Sequence, residues 1–157
     1  MRNFSVLALL AIIIISCKGS SDFKKINDFK NSEWLLANQQ VFEFEIKDIT
    51  KSYRFHYLIR NAVSYPYYNI YLNQQLENSD GTVLVKTLDE LILFEQKSGK
   101  PKGDGLGDIF DNKFKVPALQ KFVFPKAGKY KWKISHNMRP DPLQGVMSVG
   151  AVVEAVK

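Results

Sequence analysis

Few side chains in this 157-residue sequence are equipped for chemistry: one cysteine, two histidines, and a loop in which glycine alternates with aspartate. Cys17 is the only thiol, so no internal disulfide can form. His56 and His136 lie far apart in the chain, whereas zinc sites gather three or four His, Cys or carboxylate ligands. No Gly-x-Ser-x-Gly elbow offers a serine nucleophile, and a Cys-His pair is excluded if Cys17 is acylated. The sequence therefore assigns no catalytic residue, no metal ligand and no cofactor. In the loop, Gly103, Gly105 and Gly107 alternate, and Asp104, Asp108 and Asp111 could converge on a cation. The spacing matches neither the dinucleotide fingerprint, which needs a βαβ unit, nor the calcium loop with its closing Glu. It predicts a tight loop over 99–112, with glycines at positive φ and Asp108 capping one helical turn near Ile109.

Contact chemistry is better represented. Tyr65-Pro66-Tyr67-Tyr68-Asn69-Ile70-Tyr71 is a dense aromatic cluster in which Tyr67, Asn69 and Tyr71 share one face of an extended chain, with Tyr68 and Ile70 opposite. Tyrosine offers a large rigid surface and a hydroxyl, which suits protein or sugar contact. Lys129, Lys131 and Lys133 alternate with Tyr130, Trp132 and Ile134, a cationic face over an apolar one. From Lys97 to His136 ten lysines face three aspartates, so this window carries +7 of a total formal charge of +6. Such charge favours anionic lipid headgroups or polysaccharide; nucleic acid is not an expected partner, because the aromatics on this strand point inward.

The elements that must position these residues are strands. Phe42, Phe44 and Ile46 alternate with charged residues, and Tyr53, Phe55, Tyr57 and Ile59 share a face opposite Arg54, His56 and Arg60. Tyr68–Glu77 follows, and Asn78-Ser79-Asp80-Gly81 predicts the turn of a hairpin closed by Thr82–Leu88. Further strands are expected at 88–94, 114–116, 121–124, 129–135 and 146–154, punctuated by Pro117, Pro125, Pro140 and Pro142. Only 22–36 could hold a short helix. Many short strands between turns, with no sustained helical period, predict an all-β, jelly-roll-like β-sandwich as a single domain over 28–157.

The first residues form a separate unit. Met1-Arg2, the apolar Val6–Ile15 and the ending Ile14-Ile15-Ser16-Cys17 constitute a signal peptide over 1–16. Ten apolar residues rise only about 15 Å as a helix, half a bilayer core, so a permanent span is disfavoured. The ending resembles the bacterial lipobox, which implies Cys17 as first mature residue and carrier of several acyl chains, enough for stable anchoring where one chain is not. Residues 17–27 are then the lipidated cysteine and tether, whose ten residues after Cys17 reach at most about 35 Å.

Taken in order, the lipobox at Cys17, Arg60-Asn61, Tyr65–Leu72, Gly105–Ile109, Gly128-Lys129-Tyr130, His136–Arg139, Leu143–Val146 and Val149-Gly150 resemble the gliding-motility lipoprotein GldH family of Bacteroidota. The family often carries a Trp before the loop glycines, where this chain has Lys100-Pro101-Lys102. The resemblance implies a noncatalytic outer-membrane lipoprotein serving gliding and the type 9 secretion system, held to the membrane by its N-terminal lipid and touching envelope proteins of that machinery. Lys18-Gly19-Ser20-Ser21-Asp22 has no run of adjacent acids of the kind associated in this phylum with surface export, which implies the periplasmic leaflet. Tyr65, Tyr67, Asn69, Tyr71, Gly105, Asp108 and Arg139 are the candidates for partner contact. The alternative is a glycan- or metabolite-binding envelope lipoprotein whose tyrosines line a cleft.

Overall fold

A computed structural model describes residues 23–156; the expected signal peptide, Cys17 and the start of the tether lie outside the described residues. The strands are β1 (Phe23–Asp28), β2 (Glu33–Trp34), β3 (Gln40–Ile46), β4 (Ser52–Ala62), β5 (Asn69–Asn78), β6 (Val83–Ile92), β7 (Asp104–Leu106), β8 (Ile109–Lys115), β9 (Phe122–Val123), β10 (Gly128–His136), β11 (Leu143–Gln144) and β12 (Val146–Ala155). One sheet runs β1-β12-β4-β8-β7, with β9 pairing on β4; the other runs β3-β10-β5-β6, and β11-β2 form a small third. Counting only the eight strands of six residues or more, the first sheet reads first-eighth-third-sixth and the second reads second-seventh-fourth-fifth. That order is the wrapping of a jelly roll, so the expected sandwich is observed.

Period-two alternation selects the inner faces. Phe42, Phe44 and Ile46 of β3, Tyr53, Phe55, Tyr57 and Ile59 of β4, and Tyr130, Trp132 and Ile134 of β10 are all buried. Their rings interlock across the sheets: Trp132 lies 5.2 Å edge-on from Phe55 and 5.1 Å from Tyr57, and Phe124 lies 4.5 Å from Tyr130. Each such side chain contributes about 1.5–3 kcal/mol by leaving water. A polar chain crosses the same core. The Trp132 indole donates to Gln74 at 2.9 Å, Gln74 to Thr87 at 2.8 Å, Thr87 to Asp89 at 3.0 Å, and Tyr57 of the opposite sheet to Asp89 at 2.7 Å. Burial first, and then the Asp89 carboxylate, push the Tyr57 phenol well above its ordinary range, so it stays a donor.

Three expectations change. Residues 22–36 hold no α-helix among those described: β1 pairs antiparallel with β12, leaving only a 3-10 turn at Lys30–Ser32 before β2. Pairing on an open sheet edge satisfies the backbone better than one short helix would, and Lys24-Lys25 is the kind of charge that guards such an edge. Residues 23–27, read as tether, are thus strand. Residues 82–88 and 88–94 form one edge strand, β6, with a bulge opposite Leu76-Glu77, which blurs its alternation. The loop over 99–112 is largely the β7–β8 hairpin, and no helical turn forms at Ile109, because Ile109 and Phe110 pair with Ala62 and Asn61 of β4.

The connections divide the sandwich into two ends. At the proximal end lie the start of β1 and segments 47–51, 79–82 and 116–127; at the distal end lie 29–39, 63–68, 93–108 and 137–145.

Candidate functional site

All seven contact candidates fall at the distal end. Chain order makes this possible: β4 ends where β5 begins, and β8 and β10 reach the same end, so residues distant in sequence meet there.

The site is built on a buried plug. Trp34 of β2 stacks on Phe29 at 4.9 Å and meets His136 edge-on at 5.3 Å, while β11 pairs alongside through Leu143. His136 is fully buried; its Nδ1 accepts the Met138 N–H at 3.3 Å. Burial holds its imidazole below its ordinary pKa, against the opposing pull of Asp141 and the Trp34 backbone, so the ring is neutral at neutral pH. Tyr65 belongs to this plug rather than to the surface. It is only 5% exposed, donates its hydroxyl to the Asn69 carbonyl at 2.9 Å, and is backed by Gly145. Gly145 has φ +83, and a Cβ there would stand 2.9 Å from the Tyr65 Cα. Asn69 is likewise buried, its side-chain amide held by Glu90 at 2.5 Å. Tyr65 and Asn69 thus lie beneath the surface rather than on it, where the chain turns inward to enter β5.

Tyr67, Tyr71 and Arg139 do come together. With Leu88, Asn137, Met138 and Pro140 they line a cleft of about 410 Å³ on the outer face of β5–β6. Register explains its floor, since Tyr71 faces Glu90 and Asn73 faces Leu88 across β5–β6. The segment after β10 folds over as its wall: Asn137 N–H donates to the Tyr71 carbonyl at 2.8 Å, and Tyr71 N–H donates to Met138 Sδ at 3.4 Å. The neighbouring Glu90 holds the Tyr71 phenol above its ordinary pKa, so it is a proton donor at neutral pH.

Gly105 and Asp108 lie on the β7–β8 hairpin beside this region. Gly105 is required by close approach, because a Cβ would strike the Ile109 carbonyl and the Phe110 ring. Asp108 sits in the turn, and its carbonyl accepts the Val63 N–H at 2.7 Å, tying the tip to the segment that leads into Tyr65. Between them Leu106 projects 95% exposed, with Ile109, Val63, Tyr67 and Tyr68 also exposed at the same end. Among the described residues no three His, Cys, Asp or Glu gather as metal ligands, and Asp104 and Asp111 face each other across the hairpin, with Asp111 held by Arg60 at 2.8 and 2.9 Å.

Leu88, Met138 and Leu106 were missed by the sequence reading. Leu88 and Met138 carry no local signal, because they meet the tyrosines only through the fold. A leucine enclosed by Gly105 and Gly107 did carry one: two glycines at a hairpin tip leave nothing to bury it.

The chain matches the family model described as GldH lipoprotein over residues 21–153. It is 29% identical over 164 aligned positions to "Gliding motility lipoprotein GldH" of Flavobacterium johnsoniae, covering 98% of this chain and 97% of the relative. It is 32% identical to "Gliding motility lipoprotein GldH homolog" of Christiangramia forsetii, covering 98% of both chains. Among solved structures, the VP2 subviral particle of infectious bursal disease virus aligns with TM-score 0.39 and 12% identity over 88% of this chain, which spans 33% of that one. Dimeric latent PorU from Porphyromonas gingivalis aligns with TM-score 0.34 and 9% identity over 87% of this chain and 13% of its own. The architecture rests on its own strand order.

Proposed function

The chain belongs to the GldH lipoprotein family, the lipid-anchored proteins of gliding motility, and from that premise we propose that it is a noncatalytic accessory or assembly component of the gliding machinery and the associated type 9 secretion system. Cys17 carries the lipid, in the outer membrane and facing the periplasm, and the distal end binds an envelope protein. The observation that carries this reading is that Leu106, Ile109, Val63, Tyr67 and Tyr68 are all exposed at one end, with Leu88 exposed on the outer face of β6. That end is nearly neutral: its connections bear five cations, Lys30, Lys97, Lys100, Lys102 and Arg139, against Glu33, Glu95, Asp104, Asp108 and Asp141. Exposed apolar surface with balanced charge suits a protein partner, and aromatic residues with an arginine are what such interfaces concentrate.

The cleft supports a second reading. Its volume of about 410 Å³, with Tyr67, Tyr71 and Arg139 on its walls, is within the range of sites for small molecules, and a glycan or metabolite would fit its mix of rings and donors. Crosslinking and pull-down from native outer membranes separates the two. Recovery of secretion or motility proteins, lost on Tyr67→Ser, supports the first, and specific binding on a glycan array supports the second. A Cys17→Ser chain that still fractionates with membranes and restores gliding to a deletion strain would end the anchoring part.

A further inference from the structure

We propose that the proximal end is a membrane-docking surface, which lies against the anionic phospholipid headgroups of the bilayer that holds the anchor. This inference rests on the reading of Cys17 as the lipid carrier. The described chain begins at Phe23, which pairs with Val153 at the proximal end of the first sheet. From Cys17, the intervening residues 18–22 reach at most about 20 Å, whereas a strand of ten residues spans about 33 Å. A tether that short cannot seat the distal end on the bilayer, so the proximal end is the one held at the headgroups.

Its chemistry fits that neighbour. The proximal connections carry four lysines, at 47, 51, 121 and 126, against Asp48 and Asp80. Asp48 is taken by Lys51 and Asp80 by Lys126, each at 3.1 Å. Lys47 and Lys121, with Lys115 on a flanking rung, form no ion pair among the described residues, while Lys129 stands opposite Glu45 across β3–β10. Among these cations Ile49 is 43% exposed and Val123 59% exposed. Apolar tips amid unpaired lysines bind an anionic interface by two additive terms, shallow burial and charge attraction. A protein partner is the less fitting occupant, since interface cores are depleted of lysine.

The test uses the full lipidated chain, its acylation read by intact mass, on vesicles of brominated phosphatidylcholine with or without phosphatidylglycerol. Val123→Trp and Leu106→Trp place a reporter at each end, both at exposed positions. The Val123→Trp signal is expected to be quenched at least about two-fold more on anionic than on zwitterionic vesicles, and to recover when about 0.5 M salt shortens the screening length. Adding Lys47→Glu and Lys121→Glu should remove the difference, and Leu106→Trp should stay unquenched throughout. Equal quenching at both ends, or no dependence on anionic lipid in an acylated chain, overturns the docking surface while leaving the anchor intact. A chain whose mass shows no acyl group overturns both.

Discussion

The proximal end of the core is closed by Tyr53 and Phe124, meeting edge to face at 5.3 Å, together with Val116 and Leu119, whereas the distal end is closed by Trp34 and Phe29 stacked beside a buried neutral histidine. Their surfaces differ in the opposite sense. Lysine and small apolar tips cover the first, while tyrosine, leucine and balanced charge cover the second. A single exposed leucine is ordinary, so what marks the distal end is that Leu106, Ile109, Val63, Tyr67 and Tyr68 are exposed there together. The contrast separates closing the core from presenting a surface, and at the distal end adjacent residues, Tyr65 and Tyr67, do one each.

Breaking the closure should have the largest effect. Trp34→Ala empties the plug and should lower stability by about 3–5 kcal/mol, read by denaturant unfolding. Tyr65 and Tyr67, two positions apart, then separate support from surface: Tyr65→Ser should destabilise by several kcal/mol, while Tyr67→Ser should stay within about 0.5 kcal/mol yet lose the partner. Tyr57→Phe leaves Asp89 one donor short and should cost about 1–3 kcal/mol at either end alike, since the polar chain runs between the sheets rather than at a pole.

The smallest effect sharpens the chemical difference. Burial lowers the proton affinity of His136 below its ordinary pKa of 6.5, so the unfolded chain binds a proton that the folded chain refuses. The stability tied to this site is complete above about pH 6.5 and is lost as the pH falls through that value toward the folded one. His136→Gln should reduce the proton uptake on unfolding between about pH 7 and 5 by up to about one proton, measured from the slope of stability against pH. His56, also lowered by burial first and then by Lys113, contributes in the same direction from the outer face of the first sheet.

Much of the architecture was legible because alternation is local. The inner faces of β3, β4 and β10 follow from period two, and the β5–β6 hairpin follows from Asn78-Ser79-Asp80-Gly81. What was not legible depends on partners distant in sequence. β1 is a strand because β12 offers it an edge, and β8 starts at Ile109 because β4 reaches that far. The candidate site divides the same way: the aromatic run showed where tyrosines cluster, but that Tyr65 is the buried one depends on its close approach to Gly145, some eighty residues on.

The opposition of the two ends is tested most directly by photocrosslinking in living cells, with a benzophenone amino acid placed in turn at Leu106 and at Val123. The account predicts protein adducts from Leu106 and lipid adducts from Val123. Protein adducts from Val123 together with none from Leu106 would contradict it.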